Sequence, residues 1–331
     1  MKALRKIAES TIFAYSRSER KDIFQFVFAR YGSYVVLILL VIVSGILQPI
    51  FFHPRNIFNL LLRASPLGIV AVGQLIVVLG GGIDLSVASL MATTNIIAAA
   101  GMLGRNELCL PVSLICLGVG ALVGLTNGVL ITKRGIPPFI MTLGMMILLQ
   151  GIRFVWTRGA PRGTIPSLLR FIGTGRIWII PTAVLVFGLV AGVGAIILYY
   201  TTYGRQLYAT GGNRQAAKLS GINVDKVIII SYVICGFLAA LAGLVLTGYL
   251  GLADNWAGKG YELESIAAVV VGGAYLMGGR GTIEGTIAGV LIMSILVNMV
   301  LLLNLDVELG MIVQGIVLIG AVAFYKVKKL G

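Results

Sequence analysis

Residues 67–102 read LGIVAVGQLIVVLGGGIDLSVASLMATTNIIAAAGM and hold a single charged side chain, that of Asp84. Three consecutive glycines, residues 80–82, separate two apolar runs, residues 57–79 and 84–104. Each run reaches the length of about 20 residues that a helix needs to cross the hydrocarbon core of a bilayer. The stretch therefore predicts two membrane-spanning helices joined by a break.

The composition of the whole chain agrees with a membrane protein. The 331 residues are 58% hydrophobic and 11% charged, whereas a soluble domain carries about 25% charged residues. This excludes an ordinary cytosolic enzyme and a disordered chain. The formal net charge of +14 is therefore first interpreted as the cation bias of cytoplasmic loops, not as a nucleic-acid signal.

We predict an all-α polytopic membrane protein with about ten transmembrane helices, some of them broken by glycine or polar residues. A permease domain, residues 32–326, lies between a basic N-terminal segment, 1–31, and a tail, 327–331. The predicted spans are 33–52, 57–79, 84–104, 109–131, 137–156, 178–200, 227–250, 263–278, 282–303 and 308–325.

The distribution of Lys and Arg sets the expected orientation. With the N-terminus inside, 17 of the 26 cationic residues fall on the inner side, which favours cytoplasmic N- and C-termini. One outer segment, residues 157–177, breaks this rule because it carries four arginines. They dock an acidic soluble partner, belong to an ordinary loop, or mark a local error in the topology. The four are Arg158, Arg162, Arg170 and Arg176.

Few side chains offer enzyme chemistry. His53 is the one histidine, and Cys109, Cys116 and Cys235 are scattered, so we expect no catalytic residue and no metal site. The chain has no G-x-x-x-x-G-K-[ST] string, and hence no P-loop of its own. A membrane-embedded enzyme is disfavoured for these reasons.

Glycines recur every four residues in two predicted spans, which places small residues on one helix face and predicts close helix packing. The two spans run in opposite directions and are compatible with an inverted repeat, although simple packing explains both runs. The residues are Gly120, Gly124 and Gly128, and Gly281, Gly285 and Gly289.

The longest inner loop, residues 201–226, contains a predicted short helix. Gly211 and Gly212 are expected to form a turn, Asn213 to cap a helix over 214–220, and Gly221 to end it. A helix of two turns is marginal alone in water, so this one needs a partner protein or the membrane surface. A plain connector is the alternative.

Asp84 is the acid placed deepest in apolar sequence, and an ionisable group inside a span is a functional candidate. It caps the following helix, lines or gates a path, or does both. Neutral polar side chains near it suit hydrogen bonding to a polar solute, although helix packing explains each of them equally well. Those that we assign to a path or gate with Asp84 are Ser86, Thr93, Asn95 and Asn127.

Three stretches in the same order resemble the ribose/arabinose/galactose-type sugar permeases of ATP-binding-cassette (ABC) importers and together extend over most of the chain. Residues 81–89 (GGIDLSVAS) match one family pattern, with Ala88 where glycine is usual. Residues 204–222 (GRQLYATGGNRQAAKLSGI) match the coupling loop. Residues 260–286 (GYELESIAAVVVGGAYLMGGRGTIEGT) match a third pattern, with Glu264 and Ala274 where aspartate and threonine are common.

The resemblance implies a type II importer-like permease in a bacterial inner membrane. Such a subunit dimerises with a second copy or a paralogue, binds a separate ATPase that holds ATP and Mg, and receives its sugar from a periplasmic binding protein. Ribose or another pentose is the substrate that the resemblance implies. An ion-coupled secondary transporter is the alternative. The residues expected to couple to the ATPase are Gly204, Arg205, Gly211, Gly212, Asn213, Ala216, Ala217, Lys218 and Gly221.

Overall fold

The structure is a computed structural model that describes residues 32–306, together with 309–310, 312, 315–316 and 319–320. The basic segment 1–31, the tail 327–331 and most of the tenth predicted span, 308–325, lie outside the described residues. Within them the chain forms helices and one two-stranded hairpin. The helices are α1 Gly32–Leu47, α2 Pro54–Leu79, α3 Ser86–Met102, α4 Cys109–Lys133, α5 Pro138–Thr157, α6 Ser167–Thr174, α7 Thr182–Tyr200, α8 Thr202–Gly212, α9 Arg214–Leu219, α10 Val224–Leu250, α11 Tyr261–Val271 and α12 Ile283–Leu302.

Six of the described helices are long and apolar enough to cross a membrane, judged by length and composition: α2, α4, α5, α7, α10 and α12. Two more, α1 and α3, are apolar but shorter. The expectation of an all-α polytopic protein is confirmed. The predicted span over 263–278 is not one helix, because α11 ends at Val271 and Gly273 turns the chain with a positive φ of 96°.

Helices α2 and α10 form the centre of the bundle. The apolar window of α2 is 89% buried and that of α10 is 67% buried, against 22% for α5. Helix α10 packs against α2, α3 and α4, and α2 also contacts α7, α11 and α12. The outer helices therefore present apolar faces away from the chain, as expected in a lipid environment.

Glycines bring α4 and α10 into backbone contact. A Cβ on Gly120 would overlap the carbonyl of Gly236, and one on Gly124 would overlap that of Tyr232. A Cβ on Gly128 would lie 2.8 Å from the Cα of Ile229. Since a side chain at any of these positions would separate the helices, the four-residue spacing keeps the two axes close.

The second glycine run is only partly helical. Gly285 and Gly289 of α12 lie against the carbonyls of Gly272 and Ala268, so they pack α12 on α11. The assignment of Gly281 to the same helix face is wrong: it precedes α12, with a φ of 155°, and a Cβ there would meet Ala274 at 2.8 Å. Gly281 belongs to the irregular segment that replaces the end of the predicted span.

Candidate functional site

The break between α2 and α3 is the first component of the site. Backbone N–H and C=O groups inside a membrane need hydrogen-bond partners within the protein, and several of those at the break have them. The N–H groups of Gly80, Gly81 and Gly82 turn back to carbonyls of the last turn of α2, at 3.4, 2.9 and 3.1 Å. The carbonyl of Ile83 accepts from the hydroxyl of Tyr232 at 3.2 Å.

Gln74, close to the C-terminal end of α2, satisfies the backbone groups of Asp84. In the orientation that satisfies both ends of its amide, its nitrogen donates to the carbonyl of Asp84 at 3.1 Å, and its oxygen accepts from the N–H of Asp84 at 3.2 Å. The side chain is fully buried. One amide thus replaces the two backbone hydrogen bonds that Asp84 lacks because the helix is broken.

The carboxylate of Asp84 caps the start of α3. Its Oδ1 accepts from the N–H of Ser86 at 2.9 Å and from the hydroxyl of Ser86 at 2.6 Å. The amide of Asn127, on α4, donates to that hydroxyl at 3.0 Å. The second oxygen of Asp84, Oδ2, is buried without a hydrogen-bond partner among the described residues. The carboxylate therefore both caps the helix and leaves one oxygen unsatisfied inside the bundle.

The five predicted path residues fall into two groups. Asp84, Ser86 and Asn127 come together at the break, whereas Thr93 and Asn95 lie further along α3. All five are buried, with at most 8% of each residue exposed. In this conformation they form hydrogen bonds with neighbouring groups of the protein.

Thr93 belongs to a second cluster built around Arg153 of α5. The guanidinium donates to the carbonyl of Ser89 at 2.9 Å, and to the hydroxyls of Ser89 and Thr93 at 3.2 Å each. Arg153 is only 3% exposed. Arg153 is not among the predicted site residues, although a charged residue inside the apolar run of α5 is a signal for a functional group.

Asn95 fixes the segment that follows α10. Its amide nitrogen donates to the hydroxyl of Thr247 at 3.0 Å and to the carbonyl of Leu252 at 3.1 Å. Its oxygen accepts from the N–H of Asp254 at 2.8 Å. Asn95 therefore holds the connection between α10 and α11 against α3.

Helices α8 and α9 form the predicted coupling segment. Asn213 caps α9 as expected, since its Oδ1 accepts from the N–H groups of Gln215 and Ala216, both at 3.0 Å. Gly221 follows the helix with a φ of 80°. The prediction of a turn at Gly211 and Gly212 is wrong, because both residues complete the last turn of α8.

The predicted coupling residues divide by exposure. Gly204 packs against the carbonyl of Leu198 without room for a side chain. Ala217 is the buried residue of α9. Gly211 is half-buried. The remaining residues are exposed and are available to a partner: Arg205, Gly212, Asn213, Ala216, Lys218 and Gly221.

One glycine triplet, residues 80–82, and two glycine pairs, residues 211–212 and 278–279, meet at one point. We call this point the glycine junction. The N–H of Gly279 donates to the carbonyl of Leu79 at 2.9 Å. A Cβ on Gly278 would lie 2.9 Å from the nitrogen of Gly81 and 3.0 Å from the Cα of Gly211. The three sequence patterns therefore build a single structural feature.

Side chains of the coupling segment reinforce the junction. Arg214 donates to the carbonyl of Gly80 at 3.3 Å. The hydroxyl of Tyr208 donates to the carbonyl of Gly281 at 2.8 Å. Burial, followed by the nearby carboxylate of Glu284, raises the pKa of Tyr208 to about 12, so this phenol stays protonated and remains a donor. Movement of α8 and α9 is thus linked directly to both irregular segments.

The four arginines of the outer segment are all exposed. Arg176 already has a partner, because its guanidinium lies 3.7 Å from the centre of the Phe58 ring. Arg158 ends α5 in a left-handed conformation with a φ of 50°. The guanidinium of Arg170 lies beside Gly251, which leaves Arg158 and Arg162 as the more accessible pair for another protein.

Comparison with known proteins places these features in a family. Residues 56–322 match the family described as "Branched-chain amino acid transport system / permease component". The chain is 42% identical over 294 residues to the ribose import permease protein of Escherichia coli (strain K12), covering 88% of this chain and 91% of the relative. It is 40% identical over 311 residues to the ribose import permease protein of Bacillus subtilis (strain 168), covering 92% and 96%.

More distant relatives carry the names of other sugars. The D-allose transport system permease protein of Escherichia coli (strain K12) is 33% identical over 313 residues, covering 92% of this chain and 94% of the relative. No solved structure matches the chain significantly.

Proposed function

The chain belongs to the family of branched-chain amino acid transport system permease components, within its ribose-type sugar permeases, and we propose that it carries a monosaccharide through the membrane as the permease subunit of an ABC importer. The observation that supports this best is the glycine junction. It joins the end of α8, which leads directly into the short, partly exposed helix α9, to the break between α2 and α3. A partner that moves α9 would therefore move the break.

We propose that this partner is a separate ATPase chain, which holds the ATP and Mg. The exposed residues of α8 and α9 form its docking surface, with Asn213 fixing the start of α9. ATP-driven closure of two ATPase domains would then act on two permease subunits as a switch between two conformations. The second permease subunit is another copy or a paralogue.

We place both termini on the cytoplasmic side of a bacterial inner membrane. This orientation puts α9 on the same side as the ATPase and the arginine-rich segment 158–176 on the outer side, where a periplasmic binding protein would deliver the sugar. Arg158, Arg162, Arg170 and Arg176 are the side chains proposed to dock it.

We propose that Asp84, Ser86, Thr93, Asn95 and Asn127 line or gate the path once α3 moves. In the described conformation their hydrogen bonds are used within the protein. Uncharged hydroxyls and amides exchange such bonds with sugar hydroxyls without burying a new charge. Ribose or another pentose is the first substrate to test, because two relatives named for ribose are 42% and 40% identical.

The experiment is uptake of labelled ribose by proteoliposomes that contain the permease, the ATPase and the binding protein from the same gene neighbourhood. We expect uptake only when all three proteins and ATP are present. Unlabelled allose, arabinose and fructose are added as competitors for the uptake of labelled ribose. Uptake by the permease alone, driven by a proton gradient, would contradict the proposal.

A further inference from the structure

An apolar hairpin projects from the bundle just before α7. Strands β1, Arg176–Ile177, and β2, Ile180–Pro181, pair antiparallel. The four residues of the tip, 177–180, are Ile, Trp, Ile and Ile. All are exposed, Trp178 by 95% and Ile179 by 83%. Exposed apolar surface of this kind is unfavourable in water and marks an interaction site.

The base of the hairpin is held rigidly. The hydroxyl of Thr182 reaches the carbonyls of Phe171 and Gly175, at 2.6 and 3.1 Å, at the end of α6. On the other strand, Arg176 lies over the ring of Phe58 in α2. The tip is therefore presented in a defined position.

That position is level with the ends of two long apolar helices. Helix α7 begins at Thr182, directly after the hairpin. Phe58 lies about 6 Å inside the start of α2, at 1.5 Å per residue. Since both helices are long and apolar enough to span the membrane, the hairpin lies where hydrocarbon meets headgroups. Tryptophan is enriched at this depth because one end of its indole is apolar and the other can donate a hydrogen bond.

Helix α7, which follows the hairpin directly, has an exposed apolar face. Exposed residues recur along that helix at intervals of four, four and three, which places them on one side. They are Leu185, Leu189, Val193 and Ile196, exposed by 41 to 69%. An apolar face of this length on a spanning helix is suited to lipid chains, and the apolar tip stands at the N-terminal end of the same helix.

We infer that residues 177–180 insert into the lipid interface at the N-terminal end of α7 and anchor the outer segment there, with Trp178 as the interfacial side chain. This inference requires that α7 spans a membrane, but not that the chain transports a sugar.

The test uses the fluorescence of Trp178 in the full chain, reconstituted with its ATPase in vesicles. The chain has three tryptophans, so Trp156→Phe and Trp256→Phe together leave Trp178 as the reporter. The vesicles contain lipids brominated either near the headgroup or near the chain end. We expect blue-shifted emission that is quenched more by the shallow bromines than by the deep ones, and little quenching by iodide.

Three results would overturn the inference. Emission that iodide quenches and bromines do not would place Trp178 in water. Shielding from both quenchers would indicate cover by protein, such as a second copy of the chain. Shielding that develops only after the binding protein is added would identify the tip as a docking site. As a second measurement, Trp178→Phe added to the chain that already carries Trp156→Phe and Trp256→Phe gives the emission of all other tryptophans in the vesicles. The emission quenched by shallow bromines should disappear in this variant, and its persistence would also overturn the inference.

Discussion

Gly211 and Leu79 meet backbone to backbone, and a Cβ on Gly211 would overlap the carbonyl of Leu79. The same carbonyl accepts the N–H of Gly279 at 2.9 Å. The end of α8, the end of α2 and the irregular segment before α12 therefore share one contact point. Packed interfaces of this kind shift between discrete arrangements rather than deform gradually. We therefore expect a displacement of α8 to move the break between α2 and α3.

Gly211→Ala should separate these segments. Its methyl group has no space, and overpacking of this kind costs about 1–3 kcal/mol. We expect a lower midpoint of thermal unfolding and less ATPase bound to the purified permease. Gly212→Ala is the matched control for stability, since its methyl group would have no atom of the described residues within 4 Å. Equal midpoints for the two alanine variants would show that the contact is not tight.

Gln74→Leu should disturb the break without changing the shape of α2 greatly. It leaves the N–H and the carbonyl of Asp84 without their partners, and each unsatisfied buried group costs about 1–3 kcal/mol. We expect reduced thermal stability and loss of uptake. Gln150→Leu makes the same chemical change at a half-buried position on α5 and should retain both. If Gln74→Leu matched it, the amide would have no role in holding the break.

Asp84→Asn keeps the cap and removes the ionisable group. The asparagine oxygen can still accept from the N–H of Ser86, so insertion, folding and ATPase binding should stay normal. The carboxyl group, whose second oxygen is buried without a hydrogen-bond partner among the described residues, becomes an amide. If the carboxyl group sets the balance between conformations, a change of about 1.4 kcal/mol would alter the balance, and with it the uptake rate, about tenfold. Normal uptake by this variant would reject a gating role for Asp84.

Features decided by local chemistry were predictable from the sequence. The side chain of Asn213 caps α9 through its own near neighbours, and the four-residue glycine spacing predicted the packing of α4. The prediction of a turn at Gly211 and Gly212 was wrong because glycine permits both a turn and a close contact between helices. Which of these two forms depends on Leu79 and Gly279, which are distant in sequence.

The polar clusters inside the bundle were harder to predict for a similar reason. Gln74 and Arg153 are polar residues within apolar stretches of their helices, but the sequence alone does not name their partners. Gln74 bonds across the break to Asp84, and Arg153 bonds to another helix. The meeting of residues 80–82, 211–212 and 278–279 likewise depends on how the helices are arranged in space.

Reversing the charge of Arg158 and Arg162 together tests the docking of a binding protein. Both are exposed, and rim charges act mainly on the association rate in a salt-dependent way. We expect Arg158→Glu with Arg162→Glu to slow association at low salt, with a smaller difference at high salt. Arg134→Glu is the control, because Arg134 lies just before α5 and Arg158 lies at the other end of that helix. Unchanged association kinetics and unchanged uptake would exclude docking at these two arginines.

Arg153→Met tests whether the buried guanidinium ties α5 to α3. The guanidinium donates to three oxygens of Ser89 and Thr93, and a hydrogen bond involving a charged group contributes about 1.5–3 kcal/mol. Methionine keeps much of the length of the side chain but donates none of these bonds. We therefore expect a lower unfolding midpoint and impaired uptake, measured on the same preparation.

Two further variants make the result on Arg153 specific. Arg105→Met removes an exposed arginine whose pair with Glu107, at 3.6 Å, is a surface interaction of little consequence, so stability should not change. All three bonds come from one guanidinium nitrogen, Nη1. Arg153→Lys keeps a charged donor, but its side chain is one bond shorter, so it should recover only part of the stability. Full recovery with lysine would mean that charge alone matters at this position, and an unchanged Arg153→Met would mean that α3 and α5 are held together by their apolar contacts.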